Sequence, residues 1–195
     1  MTAPVASDRL DCRASQAVFR ILLDTLARPG QLRRLPIGSI GPGIVALALG
    51  GVDTSFAVVG DERWQERIRL ATGAGVVPLD EAPLVGLYGR TTPGTLARLR
   101  RGSALVPEGG AKVGLACRRL HQGPGEVTVR LSGPGVAGPG VVGFDGLDPE
   151  LFTALAEVNR GFPAGVDVWF VDEADAVVGM PRSVHQELIC HQEGI

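Results

Sequence analysis

A chain of 195 residues, 45% of them hydrophobic and 21% charged, is long enough for one domain with a substantial core. A formal charge of −2 excludes strong long-range attraction to nucleic acid or to an anionic membrane. The most apolar run, Ile44 to Val52, is too short and too rich in glycine to span a bilayer. The 28 glycines and 14 prolines stay below the roughly 25–30% typical of low-complexity chains, so they read as frequent tight turns.

Residues 1–11 read as a loose leader without the apolar segment of a signal peptide. Val18, Phe19, Leu22, Leu23 and Leu26 recur at helical spacing, which predicts an amphipathic helix over 15–28 that ends at Arg28-Pro29-Gly30. A short strand at 31–35 follows. Residues 44–50 fit a helix or a strand equally well. A buried strand is predicted at 54–59, and then a helix from the cap Asp61 to about Ala71, with Trp64, Ile68 and Ala71 on one face. Leu84–Tyr88 reads as a strand. Thr92-Pro93 opens a helix expected to run to Arg101, with Gly102 just past it.

Two segments then alternate with period two: Lys112 to Cys117 and Glu126 to Leu131. Each is expected to bury one face and keep the other partly polar. The Gly-Pro stretch 133–140 turns the chain, and a helix over 148–158 points Leu151, Phe152, Leu155 and Val158 inward. Val166–Val171 predicts a strand buried on both faces, with Ala176–Met180 returning as a hairpin. Residues 183–195 read as a polar tail, leaving 12–182 as a single α/β domain. Its expected architecture is three layers around a mixed β-sheet.

The chemistry-bearing residues are sparse. Cys12, Cys117 and Cys190 are odd in number and far apart, which argues against a disulfide framework and a zinc site and for a reduced, cytosolic chain. Gly38–Gly43 and Gly133–Gly138 are glycine-rich but lack the lysine of a phosphate loop. The second reads as G-x-G-x-x-G, yet prolines interrupt it and no helix follows. The only lysine, Lys112, falls on the polar face of a predicted strand, as a solvated side chain. No nucleophile elbow is present, and His121 lies in a predicted loop. Arginine outnumbers lysine eighteen to one. Arg28, Arg130 and Arg182 each adjoin a Gly/Pro turn, and they are the candidate anion-binding residues because a guanidinium can grip phosphate or phosphonate oxygens bidentately.

Five segments, in order along nearly the whole chain, carry a resemblance. They are Phe19–Gly30 (FRILLDTLARPG), Gly102–Ala111 (GSALVPEGGA), Val129–Val136 (VRLSGPGV), Phe162–Asp167 (FPAGVD) and Met180–Ser183 (MPRS). Together they resemble the H subunit of bacterial carbon–phosphorus lyase, the phosphonate-utilisation system. Leu26 stands where that family usually has methionine, and Ser183-Val184 where it has a threonine pair. The resemblance implies a fold like the large domain of pyridoxal-phosphate-dependent transferases, without the cofactor. It implies a homodimer in isolation and partnership with the G, I and J subunits. The G, H and I subunits, with the ATPase-like L subunit, couple a phosphonate to ribose C1 of ATP. Adenine is displaced and ribose 1-phosphonate 5-triphosphate forms. The J subunit then breaks the carbon–phosphorus bond by iron–sulfur radical chemistry, for which this chain has no cysteine cluster. No catalytic residue carries over.

The function expected is therefore a subunit that depends on partners. Its own dimer surface should use apolar side chains left exposed by the sheet or the first helix. Two other readings stand beside it: an independent transferase-like enzyme using Lys112 with pyridoxal phosphate, and a metal-binding module using His185, Glu187, Cys190 and His191.

Overall fold

The computed structural model describes residues 10–36 and 40–189. Helix α1 (Cys12–Ala27) starts three residues before the predicted point, because Asp11 rather than a later residue caps it, accepting from the Ala14 N–H at 2.7 Å. Strand β1 (Arg33–Arg34) follows. The ambiguous apolar run is helix α2 (Ile44–Leu49), entered through a tight turn at Gly41–Gly43. Strand β2 (Ser55–Val59) leads to α3 (Glu62–Thr72), capped by Asp61 and closed by Gly73 in the left-handed region. Strands β3 (Gly75–Val76) and β4 (Leu84–Leu87) precede α4 (Pro93–Ala97).

Helix α4 stops four residues short of the predicted Arg101. The Arg100 carbonyl accepts from Ala111 N–H at 2.8 Å and the Arg101 carbonyl from Gly165 N–H at 2.7 Å. Arg101 also bridges Gly110 in sheet fashion. Those extended pairings are incompatible with another helical turn.

Strands β5 (Lys112–Ala116), β6 (Arg119–His121), β7 (Val127–Ser132) and β8 (Val141–Asp145) follow, then α5 (Glu150–Asn159), β9 (Asp167–Val171), β10 (Ala176–Met180) and β11 (His185–Ile189). The main sheet has seven strands in the order β1-β10-β9-β5-β4-β2-β3. Strands β9, β5, β4, β2 and β3 are parallel, and β10 runs against both its neighbours. The protein is thus α/β with a mixed sheet. A second, antiparallel sheet of order β11-β7-β8-β6 was not foreseen.

The expected polar tail is, over 185–189, the edge strand β11, in register with β7 from His185↔Ser132 to Ile189↔Thr128. His185 and Glu187 face solvent while Gln186 and Leu188 turn partly inward. With polar residues on both faces, the alternation carries no apolar signal.

Helices α1, α2 and α3 cover one face of the main sheet. Helices α4 and α5, together with the second sheet, cover the other. Strand β5 is consequently buried on both faces, not on one as its alternation suggested, because parallel strands are sandwiched.

On the helical side, Gly86, Gly114, Trp169 and Gly179 lie side by side in register. A Cβ at Gly114 would fall 2.0 Å from the Pro42 carbonyl oxygen, and one at Gly179 would fall 2.6 Å from the Thr25 backbone. The helices therefore sit at backbone contact on either side of Trp169, whose indole N–H donates to Leu22 O at 3.0 Å and Thr25 Oγ1 at 3.1 Å. On the other side, Phe144 of β8, Phe152 of α5 and Phe170 of β9 pack together with ring centroids 4.8 to 5.6 Å apart. This trio ties the second sheet and α5 to the main sheet.

Candidate functional site

The five resembling segments, far apart in sequence, meet in a chain of contacts, and Arg182 joins three of them. Its Nε and Nη2 grip the Asp167 carboxylate at 3.1 and 2.7 Å, and its own N–H donates to Asp167 Oδ1 at 3.0 Å. Nη1 reaches the carbonyls of Pro107 and Pro163. The segments 102–111, 162–167 and 180–183 are thereby cross-tied. Asn159 at the end of α5 adds to this, donating to and accepting from the backbone of Val166. The turn at 133–135 joins the same neighbourhood: a Cβ at Gly133 would lie 3.1 Å from Ser183 O, and one at Gly135 2.4 Å from Ala27 O, beside Pro29. A groove of about 520 Å³ runs alongside, lined by Pro134, Asn159, Arg160, Phe162, Ser183 and His185 among others.

Lys112 lies in the same cluster. It stands opposite Asp167 in the β5–β9 register, and its ammonium donates to Glu108 O at 2.6 Å and Gly110 O at 3.0 Å. It is half-buried rather than solvated, as the strand pattern had suggested. Burial first, and then the neighbouring Arg182 charge, push its pKa below the ordinary lysine value. Lys112 and Asp167 begin their parallel strands, so this cluster occupies the amino edge of the sheet.

Open α/β sheets bind ligands at the opposite, carboxyl edge, where the strand order reverses. Here that point lies beside β2, between the loops after β2 and β4. Gly60 (φ +92°) approaches Tyr88 O so closely that a Cβ would fall 2.1 Å away. The Tyr88 hydroxyl donates to Ile40 O at 2.9 Å and accepts from Gly43 N–H at 3.0 Å. Trp64 stacks on its ring at 5.9 Å, and the Arg67 guanidinium lies 4.1 Å from the Trp64 centroid. Burial pushes the Tyr88 hydroxyl pKa well up. Tyr88 and Trp64 line a shallow crevice of about 240 Å³ there, together with Ile40, Pro42, Cys117 and Asp172. Nearby Cys117 is buried, and desolvation holds it as a thiol. Asp172 accepts from the N–H groups of Leu120, Ala174 and Ala176, which fixes a turn.

The three candidate arginines are not brought together as one anion site. Arg28 pairs with Asp24, which also holds Arg33 at 2.8 Å. Arg130 of β7 faces Glu187 of β11 at 3.3 Å. Arg182 holds Asp167. Asp167 is the partner that sequence reasoning missed; the only trace of it was its place at the end of FPAGVD. His121 is not in a loop but ends β6, hydrogen-bonded to Asp145 at 2.8 Å. Among the described residues, no group of His, Cys, Asp and Glu is placed to hold a metal ion. Of the suggested tail ligands, Cys190 and His191 lie outside the described residues. Among the described residues, no helix is long and apolar enough to cross a membrane. The loop 100–106 is exposed throughout, a feature with no periodic signature.

Comparison with known proteins agrees with the resemblance. The model of the family described as "Bacterial phosphonate metabolism protein (PhnH)" matches residues 8–187. HtxG of Stutzerimonas stutzeri, whose name places it with the C-P lyase subunits, is 29% identical over 179 residues, covering 89% of this chain and 86% of HtxG. The "Alpha-D-ribose 1-methylphosphonate 5-triphosphate synthase subunit PhnH" of Rhizobium meliloti (strain 1021) is 29% identical over 189 residues, 89% of this chain and 90% of that protein. A match over this span shows that the chain belongs to the PhnH family of bacterial phosphonate metabolism proteins.

Proposed function

We propose that this chain is a subunit of the carbon–phosphorus lyase core complex and supports transfer of a phosphonate to ribose C1 of ATP. In that step a phosphonate oxygen bonds to C1, the bond from C1 to adenine breaks, and ribose 1-phosphonate 5-triphosphate forms. The observation that carries the proposal is membership of the family over residues 8–187, with a synthase subunit among the relatives.

The geometry supports dependence on partners. Arg182 is built into the fold by Asp167, and Lys112 is tied to two carbonyls. Arg28 and Arg130 are half-exposed, and each is paired with a carboxylate, Asp24 and Glu187, that an incoming anion would have to compete with. The partners on this reading are the G, I and J subunits, in the cytosol, with a homodimer formed by the chain alone. Phe19 and Leu23, exposed one turn apart on α1, suit the homodimer surface. The scaffold is read as that of a pyridoxal-phosphate transferase large domain used without the cofactor. One feature supports this: the lysine amine lies at the amino edge of the sheet, away from the carboxyl-edge crevice.

The test is adenine release from ATP and methylphosphonate, followed by chromatography. Release by the reconstituted subunits and none by this chain alone is expected. Equal release by the isolated chain, or failure to co-purify with G, I and J, would overturn the proposal.

A further inference from the structure

The loop from Arg100 to Val106 is exposed at every residue, yet its backbone is fixed at both ends. Ala111 and Gly165 donate to the Arg100 and Arg101 carbonyls. Ser103 N–H donates to Val106 O at 3.2 Å, and Val106 N–H returns to Ser103 Oγ at 3.1 Å. Arg182 holds the Pro107 carbonyl at the loop's base and, through the same nitrogen, the carbonyl of Pro163, the neighbour of Phe162 in sequence. Leu105 is 93% exposed and Phe162 63% exposed. Large apolar side chains held rigidly outward lose little conformational entropy on docking and mark interaction surfaces.

The charge around this surface selects the partner. The guanidinium groups of Arg100 and Arg101 hydrogen-bond to the carbonyls of Glu81 and Ala97. Among the described residues, neither forms a salt bridge to a carboxylate. A second copy apposed through this loop would set one arginine pair against its twin, because a two-fold interface places the same patch on both sides. An apolar pocket bordered by carboxylates would bury Leu105 and neutralise the pair. We propose that Arg100–Val106 with Phe162 is the docking surface for a different protein, which presents an acidic-rimmed apolar pocket. This proposal rests on the reading of the chain as a subunit of a larger complex.

The test co-expresses the full-length tagged chain with the G, I and J subunits and measures their recovery. Leu105→Asp and the pair Arg100→Glu, Arg101→Glu are each expected to lower recovery about tenfold or more, while melting temperature and self-association stay those of the parent. Val52→Asp, at a site 86% exposed elsewhere, should leave recovery unchanged. Parent-level recovery with both loop variants overturns the docking surface while the subunit reading stands. A Leu105→Asp chain that loses self-association assigns the loop to a second copy and overturns the proposal. Binding of the parent to polyanionic nucleic acid, lost in the arginine variant with recovery intact, also overturns it. If the parent recovers no partner, both readings fall together.

Discussion

Replacing Arg182 with alanine tests whether the junction of segments 102–111, 162–167 and 180–183 is a buried ionic lock. The Arg182 and Asp167 side chains are 11% and 17% exposed, against 53% and 71% for the comparison pair Arg130 and Glu187. Removing one member of a buried pair strands the other charge, at a cost of about 3–5 kcal/mol. The lower end applies here. Asp167 keeps the N–H of residue 182 and has the Lys112 ammonium nearby, so a loss of about 3 kcal/mol is expected. For a domain of this size each kcal/mol is worth roughly 2–4 °C, so the melting temperature should fall by about 6–12 °C. Arg130→Ala should cost no more than about 0.5 kcal/mol. Adding Asp167→Asn to Arg182→Ala should restore part of the loss, since the uncompensated charge is then gone. Urea denaturation followed by circular dichroism gives all three values at constant m. Equal losses for Arg182→Ala and Arg130→Ala would refute the buried-lock reasoning.

Gly114→Ala drives a methyl into the Pro42 carbonyl, which is backbone and cannot swing aside, so a loss of about 3 kcal/mol is expected. A melting temperature within 2 °C of the parent would show that the turn at Gly41–Gly43 does not sit over β5 as described. His121 is the chief reason Asp145 lies below the ordinary carboxylate pKa of 3.8. A depressed folded-state pKa contributes stability that is present above 3.8 and is lost as pH falls through the folded value. The stability gap between the parent and His121→Ala should therefore be open at pH 5 and close in stronger acid; a gap that does not change with pH would remove the linkage. Iodoacetamide at pH 8 should label exposed Cys12 readily and buried Cys117 only after unfolding, as peptide mapping would show.

Local chemistry made much of the fold legible. Asp61 does cap α3, and Leu151, Phe152, Leu155 and Val158 do face inward from α5. The hairpin of β9 and β10 falls where its apolar runs placed it. What escaped is non-local. Strands β6 and β8 are short and find partners only through the second sheet, and β11 pairs with a strand more than fifty residues earlier. Glycine was silent in another way. Gly114 and Gly179 offer no side chain to read, yet they are the points where the Pro42 turn and helix α1 touch the sheet. The candidate arginines were singled out for their place beside turns, and their carboxylate partners were not read. Asp24 precedes Arg28 by four residues, whereas Asp167 and Glu187 are brought to their arginines by tertiary structure alone.

The position of Arg182 also decides what kind of charge it is. A guanidinium that waits for an anion keeps donors free and open to solvent. Here the donors are divided between a carboxylate and two carbonyls from separate segments, which fixes distances between loops. One of those carbonyls, Pro107 O, is the base from which the exposed loop projects. Arg182→Ala should therefore loosen that loop as well as the core. Amide hydrogen exchange at Ser103 and Val106, whose N–H groups close the turn, should then quicken by more than global destabilisation explains. Unchanged exchange at those two amides would mean that the turn stands on its own bonds. The observed tie instead links a largely buried ion pair to Leu105, the most exposed apolar side chain among the described residues, which is the arrangement suited to holding a contact surface in shape for another protein.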